Sequence, residues 1–154
     1  MTLNTLLLLV GSVIIAVLVA IAAYLHWQLY LRRKAQAAQA AELARMAGEN
    51  RQKINNSIQI IAEATLAGND LTLTEASMRI AFLLDSLGVS DPVREEFSAF
   101  YQLRDATAHI PFLDAWKQLS RKEQTRFDLQ RMQHEATYGD FVLDAARRIR
   151  GREF

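Results

Sequence analysis

The chain has no cysteine, which excludes a disulfide framework, a thiolate metal site and a cysteine nucleophile together. Proline is scarce, with two residues, and the six glycines are scattered. There is therefore no glycine-rich loop to cradle a phosphate, and no serine has the flanking glycines of a nucleophile elbow. Strand-period alternation is also missing, so no segment reads as a β-strand. The absence with most consequence is charge at one end. Residues 1–31 hold no Asp, Glu, Lys or Arg, so all 18 basic and all 17 acidic residues follow them.

What fills that uncharged end is apolar. Leu6 to Leu25 reads LLLLVGSVIIAVLVAIAAYL, close to the roughly 20 apolar residues that a helix needs to cross about 30 Å of hydrocarbon. No polar stripe interrupts it, as one would in a helix lying on a soluble core. Tyr24, Trp27 and Tyr30 follow as rings suited to the headgroup layer, and then Arg32, Arg33 and Lys34. Cations beside a span favour the cytoplasmic side, and the flank MTLNT offers none in competition. A cleaved signal peptide is the rival reading, with small residues at Ala20 and Ala22. It lacks a basic leading region, and its apolar run is too long. The expectation is a single anchor with residues 1–5 outside, 6–31 as span and interfacial belt, and everything after it in the cytoplasm.

The remaining segments read as helices. Residues 32–50, rich in alanine and glutamine, predict a helical stalk with Gly48 as a possible break. Ile54, Ile58, Ile61 and Thr65 recur at helical spacing up to a stop at Gly68–Asp70. Thr72 with Glu75 forms a capping-box pattern before Leu73, Ala76, Ile80, Leu83, Leu84 and Leu87, and Gly88 suits the helix end. Ser90 or Asp91 with Pro92 opens the next helix, with Val93, Phe97, Phe100 and Tyr101 facing inward. After Pro111, Phe112, Leu113, Trp116 and Leu119 mark a short segment. Ser120 with Glu123 opens a last helix through Phe127, Met132, Phe141, Val142, Ala145 and Ile149, with Gly139 a weak point or kink. The expected fold is all-α: a transmembrane helix, a helical stalk, and a cytoplasmic bundle of four or five helices over 51–150, with a tail over 151–154.

Chemistry-bearing residues are few. Asp105 and His109, four apart, make at most half of a metal site, and HEATYGD at His134 lacks the second histidine of a zincin. Arg131 and Glu135 fit an i,i+4 surface ion pair. No cofactor or metal is expected, and no catalytic motif is found. Arg147, Arg148, Arg150 and Arg152 are candidate contacts for anionic lipid, against the plainer reading of cations favourable at a helix end. No aromatics interleave with them, so nucleic acid is not an expected partner.

The runs SIQIIAEATLAGNDLTLTEASMRIAFLLDSLG, FYQLRDATAHIP and LSRKEQTRFDLQRMQHEATYGDFVLDAAR resemble the small bacterial membrane proteins grouped as domain of unknown function 2489. The resemblance covers about Arg51 to Arg150. It implies architecture, one anchor and a helical cytoplasmic domain at a bacterial inner membrane, and brings no established activity with it. The expected function is a non-enzymatic, membrane-tethered module that binds another protein. Its candidate surface is Phe97, Phe100, Tyr101, Phe112 and Trp116, with core packing as the competing fate of these rings. Two alternatives stand beside it: a structural subunit of a larger membrane complex, and a small-molecule sensor or enzyme with a polar site near Glu75, Arg79, Asp105 and His109.

Overall fold

A computed structural model describes the backbone of residues 3–68 and 71–154. It describes the side chains of these residues except 3–10, 12–16, 31 and 35. The described residues form six helices and no strand: α1 (Leu3–Ala67), α2 (Leu73–Leu87), α3 (Asp91–Glu96), α4 (Ser98–Thr107), α5 (Leu113–Lys117) and α6 (Arg121–Ile149). The chain divides into two compact units, Met1–Gly48 and Glu49–Phe154.

In the first unit the helix assignment runs without a stop through the expected stalk and through Gly48. Its described apolar residues are exposed, including Leu18, Val19, Leu25, Trp27 and Tyr30. Gln28 Nε2 donates to Tyr24 Oη at 3.1 Å, one turn back. Much of the run Leu6–Leu25, expected to span a bilayer, lies outside the described side chains. Among the described residues no helix is long and apolar enough to cross a membrane.

The second unit is a bundle in which α2, α4 and α6 pack on one another. The core takes Ile58 and Ala62 from α1 and Ile80, Ala81 and Leu84 from α2. Phe97, Phe100 and Leu103 join from the α3–α4 stretch, and Val142, Ala145, Ala146 and Ile149 from α6. Helix ends follow local chemistry. Thr72 caps α2 by accepting the Glu75 N–H at 3.2 Å. The box is only half made, because the Glu75 carboxylate turns to Arg79 at 2.5 Å. Gly88 ends α2 at φ +62, in the left-handed region that favours glycine. Ser120 and Glu123 complete the reciprocal box at the start of α6. The expected stop at Gly68–Asp70 is described only at Gly68, which has φ +66.

Three expectations for α6 need correction. Phe141 is 65% and Met132 62% exposed. Neighbouring residues point about 100° apart on a helix, so with Val142 buried Phe141 faces out. In the Met132 turn the half-buried positions are Arg131, His134 and Glu135. Gly139 neither ends nor weakens the helix assignment; it is buried, and a Cβ there would meet Leu73 Cδ1 at 3.3 Å. The glycine lets α6 approach α2 closely. The expected tail 151–154 is a fourth departure: its main chain is held by side chains of α1.

Leu84→Ala should cost about 2–5 kcal/mol in chemical denaturation, whereas Met132→Ala and Phe141→Ala should stay within about 0.5 kcal/mol. Ser77 Oγ is buried without a hydrogen-bond partner. Ser77→Ala should therefore raise stability by about 1 kcal/mol in the same measurement.

Candidate functional site

The bundle has two ends. Gln59 on α1 bonds the chain just after α6, so the end of α6 lies where the chain enters the second unit. Glu135, half-way back along α6, meets the start of α2: its Oε1 accepts from Thr74 N–H at 3.0 Å and from Thr74 Oγ1 at 2.7 Å. That carboxylate occupies the positive end of the α2 dipole and satisfies one of its free N–H groups.

Beside this contact, at the end remote from the entry point, lies an open cleft of about 390 Å³. Its walls are Met78, Ile110, Pro111, Phe112, Leu113 and the threonines Thr72, Thr74 and Thr107, with Glu75, Arg79 and Arg131 as charged members. The volume falls in the range of small-ligand and side-chain sites, and the lining is mainly apolar. The hydroxyls are occupied, as Thr107 Oγ1 donates to Leu103 O at 2.8 Å. The charges are also paired. Arg79 is on Glu75, and Arg131 Nη2 donates to Asp128 Oδ1 at 2.7 Å. Arg131 thus pairs three residues back, not with Glu135 as its spacing suggested, because Glu135 caps α2. Phe112 and Leu113 form the lip, 62% and 74% exposed. Leu113 holds φ +54, a left-handed conformation unfavourable for a leucine.

The structure separates the other candidates. Glu75 and Arg79 line the cleft, but Asp105 and His109 do not. Asp105 accepts from Arg104 Nε at 2.8 Å. His109 lies beyond the end of α4, with Nε2 3.3 Å from Gln130 Oε1 and its ring 6.2 Å from that of His134. Among the described residues no group of three or more His, Cys, Asp or Glu could hold a metal ion. Of the five rings of the candidate surface, the three also expected on an inward helix face are in the core, so the five do not form one surface. Phe97 and Phe100 are fully buried and Tyr101 nearly so, since adjacent α2 and α6 close over that face. Phe112 is the exposed ring of the five, and Trp116 is half-buried. The four arginines likewise do not form one free patch: Arg148 and Arg152 both pair with Glu96. The sequence named Glu75 and Arg79 but not the cleft as a whole, because it is assembled from four helices and the two segments that precede α2 and α5.

A second polar cluster joins α2 to α4. Asp85 accepts from Arg94, from Tyr101 Oη at 3.1 Å and from Arg104 at 3.3 Å. Both guanidinium groups lie about 5 Å over the Tyr101 ring. Burial first, and then the Asp85 hydrogen bond, push the Tyr101 phenol up to about 12.

With this geometry in place, the comparison with known families is decisive: a model described as a protein of unknown function, DUF2489, matches residues 15–149. The chain belongs to the DUF2489 family. The DUF2489 match takes in every cleft residue and ends at Ile149, so the pinned segment 150–154 lies beyond it. Comparison with curated proteins and with solved structures returned no match.

The raised phenol of Tyr101 gives a pH test. The folded state holds that proton more tightly than the unfolded chain does. The contribution is therefore complete below pH 10 and lost as pH rises from 10 to about 12. Tyr101→Phe should flatten the fall in denaturation midpoint across that window relative to the parent protein.

Proposed function

We propose that this DUF2489 protein is a membrane-anchored, non-enzymatic binding module of a bacterial inner membrane, with its helical bundle in the cytoplasm. Its cleft receives an apolar segment of another protein. The observation that carries the reading is the cleft itself: mainly apolar walls, internally paired charges, and a lip of two exposed apolar residues, one on a strained backbone. Charges that already neutralise one another ask for no ionic ligand, whereas exposed Phe112 and Leu113 lose water when covered. The cleft lies at the end of the bundle remote from the point of chain entry, which leaves it open to a partner approaching from solution.

The anchor is supported by sequence: 31 leading residues without charge, aromatics at Tyr24, Trp27 and Tyr30, then Arg32, Arg33 and Lys34. The exposure of apolar side chains from Val17 to Tyr30 supports it too, because a helix apolar all round needs a nonaqueous cover. Tethering concentrates the module on partners in the same membrane without any added contact. The sensor alternative keeps Glu75 and Arg79 beside the cleft but loses Asp105 and His109 from it.

Site-specific photo-crosslinking in native membranes tests the reading. A photoreactive residue at Leu113 or Met78 should give one discrete protein adduct, while the same residue at the exposed control position Thr137 should give none. Met78→Lys combined with the probe at Leu113 should abolish the adduct. Equal labelling at Thr137, or an adduct indifferent to Met78→Lys, would remove the cleft from the account.

A further inference from the structure

What holds the inner side of α6 also fixes which side faces out. Gly139 seats on Leu73, and Glu135 on Thr74. Beyond the helix end the chain is clamped onto α1. Gln59 reads the main chain with both ends of its amide: Oε1 accepts from Gly151 N–H at 2.7 Å, and Nε2 donates to Arg152 O at 2.9 Å. One turn earlier Asn55 does the same for Phe154, whose N–H donates to Oδ1 at 3.1 Å and whose O accepts from Nδ2 at 3.0 Å. The Phe154 ring closes edge-on against buried Phe97, with centroids 5.8 Å apart. These contacts oppose any roll of α6 that would bury a different face.

The outer face carries apolar residues that the bundle leaves uncovered. Leu129 and Met132 are more than half exposed, Ala136 is exposed, and Leu143 is half-buried. Positions 129, 132, 136 and 143 follow the alternating three- and four-residue spacing of a helix seam, which presents one narrow apolar line to a partner helix. Beside that line stand Arg126, Gln133 and Asp140, spaced seven apart and all exposed. The neighbouring acids are engaged, Asp128 with Arg131 and Asp144 with Arg148. Among the described residues Arg126 and Asp140 are in no ion pair, and the Arg126 guanidinium rests over the Phe127 ring at 5.0 Å.

The order cation, amide, anion is complementary to itself. Turning a copy of α6 end for end about Gln133 sets Arg126 against Asp140 of the second copy, Asp140 against its Arg126, and Gln133 against its own counterpart. The same turn lays Met132 beside Ala136 of the second copy, a large residue against a small one. The opposite flank meets at Glu135, whose carboxylate is turned inward onto Thr74. A parallel copy would instead bring Arg121 against Arg126. We infer that the outer face of α6 is the contact surface for a second copy of this chain, packed antiparallel about Gln133. Charges that flank a helical seam select partner and orientation, and two identical Arg–Asp pairs related by a two-fold axis are what a self-complementary contact contains. Four apolar residues a side make a small interface, of the class used in transient association. The cleft takes only Arg131 from α6, which points about 100° away from Met132. The self-contact and the cleft are therefore separate surfaces.

The absence of cysteine allows a direct test on the full chain in the cells that make it. Gln133→Cys places a thiol at the two-fold position, and Thr137→Cys places one a turn further on and to the side. A short, membrane-permeant bis-maleimide should join Gln133→Cys chains into a species of doubled mass and leave Thr137→Cys chains single. Arg126→Asp alone, or Asp140→Arg alone, should abolish that species, because each sets like charges together at both ends of the seam. The two reversals in one chain should restore it. Met132→Lys should abolish it in either background. A Gln133→Cys chain that stays single would overturn the inference. So would a doubled species that Thr137→Cys matches, that ignores the single reversals, or that the double reversal does not restore. An adduct of any other mass would give this face to a different protein, and would overturn the inference equally.

Discussion

The burial of Phe97 is the constraint from which the bundle is organised. Its ring is fully inaccessible, and its backbone, at φ −105 and ψ 24, ends α3 and begins α4. Phe100 stacks on it at 6.4 Å, Phe154 meets it edge-on, and Arg148 and Arg152 lie over its face at 5.7 and 5.2 Å. Those arginines reach back to Glu96, the residue before it. One ring thus joins α4 to the core, α6 to α3, and the last residues to both. Straightening the α3–α4 break would withdraw about 150–250 Å² of aromatic surface from the interior, so the short helix and its turn are held by packing.

Local signals were legible and assembled ones were not. The cap at Thr72, the glycine at Gly88 and the box at Ser120 and Glu123 depend on residues within a few positions, and the structure keeps all three. The faces of α2 and of the last two turns of α6 follow from helical period. Errors fell where a residue's partner comes from elsewhere in the chain. Glu135 suited Arg131 by spacing, yet its carboxylate goes to Thr74, 61 positions away. Gly139 looked like a flaw until Leu73 was seen against it. The aromatics between 97 and 116 divide: Phe97, Phe100 and Tyr101 keep the inward face that helical period gives them, and Phe112 is exposed. The cleft had no linear signature beyond Glu75 and Arg79.

α6 connects two ends of opposite character. Arg131 at the cleft and Arg150 at the clamp are 19 residues apart, which is roughly 28 Å along a helix axis. Charges in solvent lose one another over about 8 Å at physiological ionic strength. The two ends are electrostatically independent, so occupation of the cleft alters the clamp only through movement of α6 as a body. Against that, Gly139 seated on Leu73 and Glu135 on Thr74 both resist sliding of α6 along α2.

The clamp also imposes an order on biosynthesis. Asn55 and Gln59 leave the ribosome long before their partners, since Phe154 follows Asn55 by 99 positions. At about 5–20 residues per second the amides wait some 5 to 20 s for the segment that will satisfy them. Over that interval Ile58 and Ala62, one and two turns further on, have no α6 to cover them. The nascent bundle therefore passes through a period with an uncovered apolar face, during which a helper that shields hydrophobic surface has something to hold.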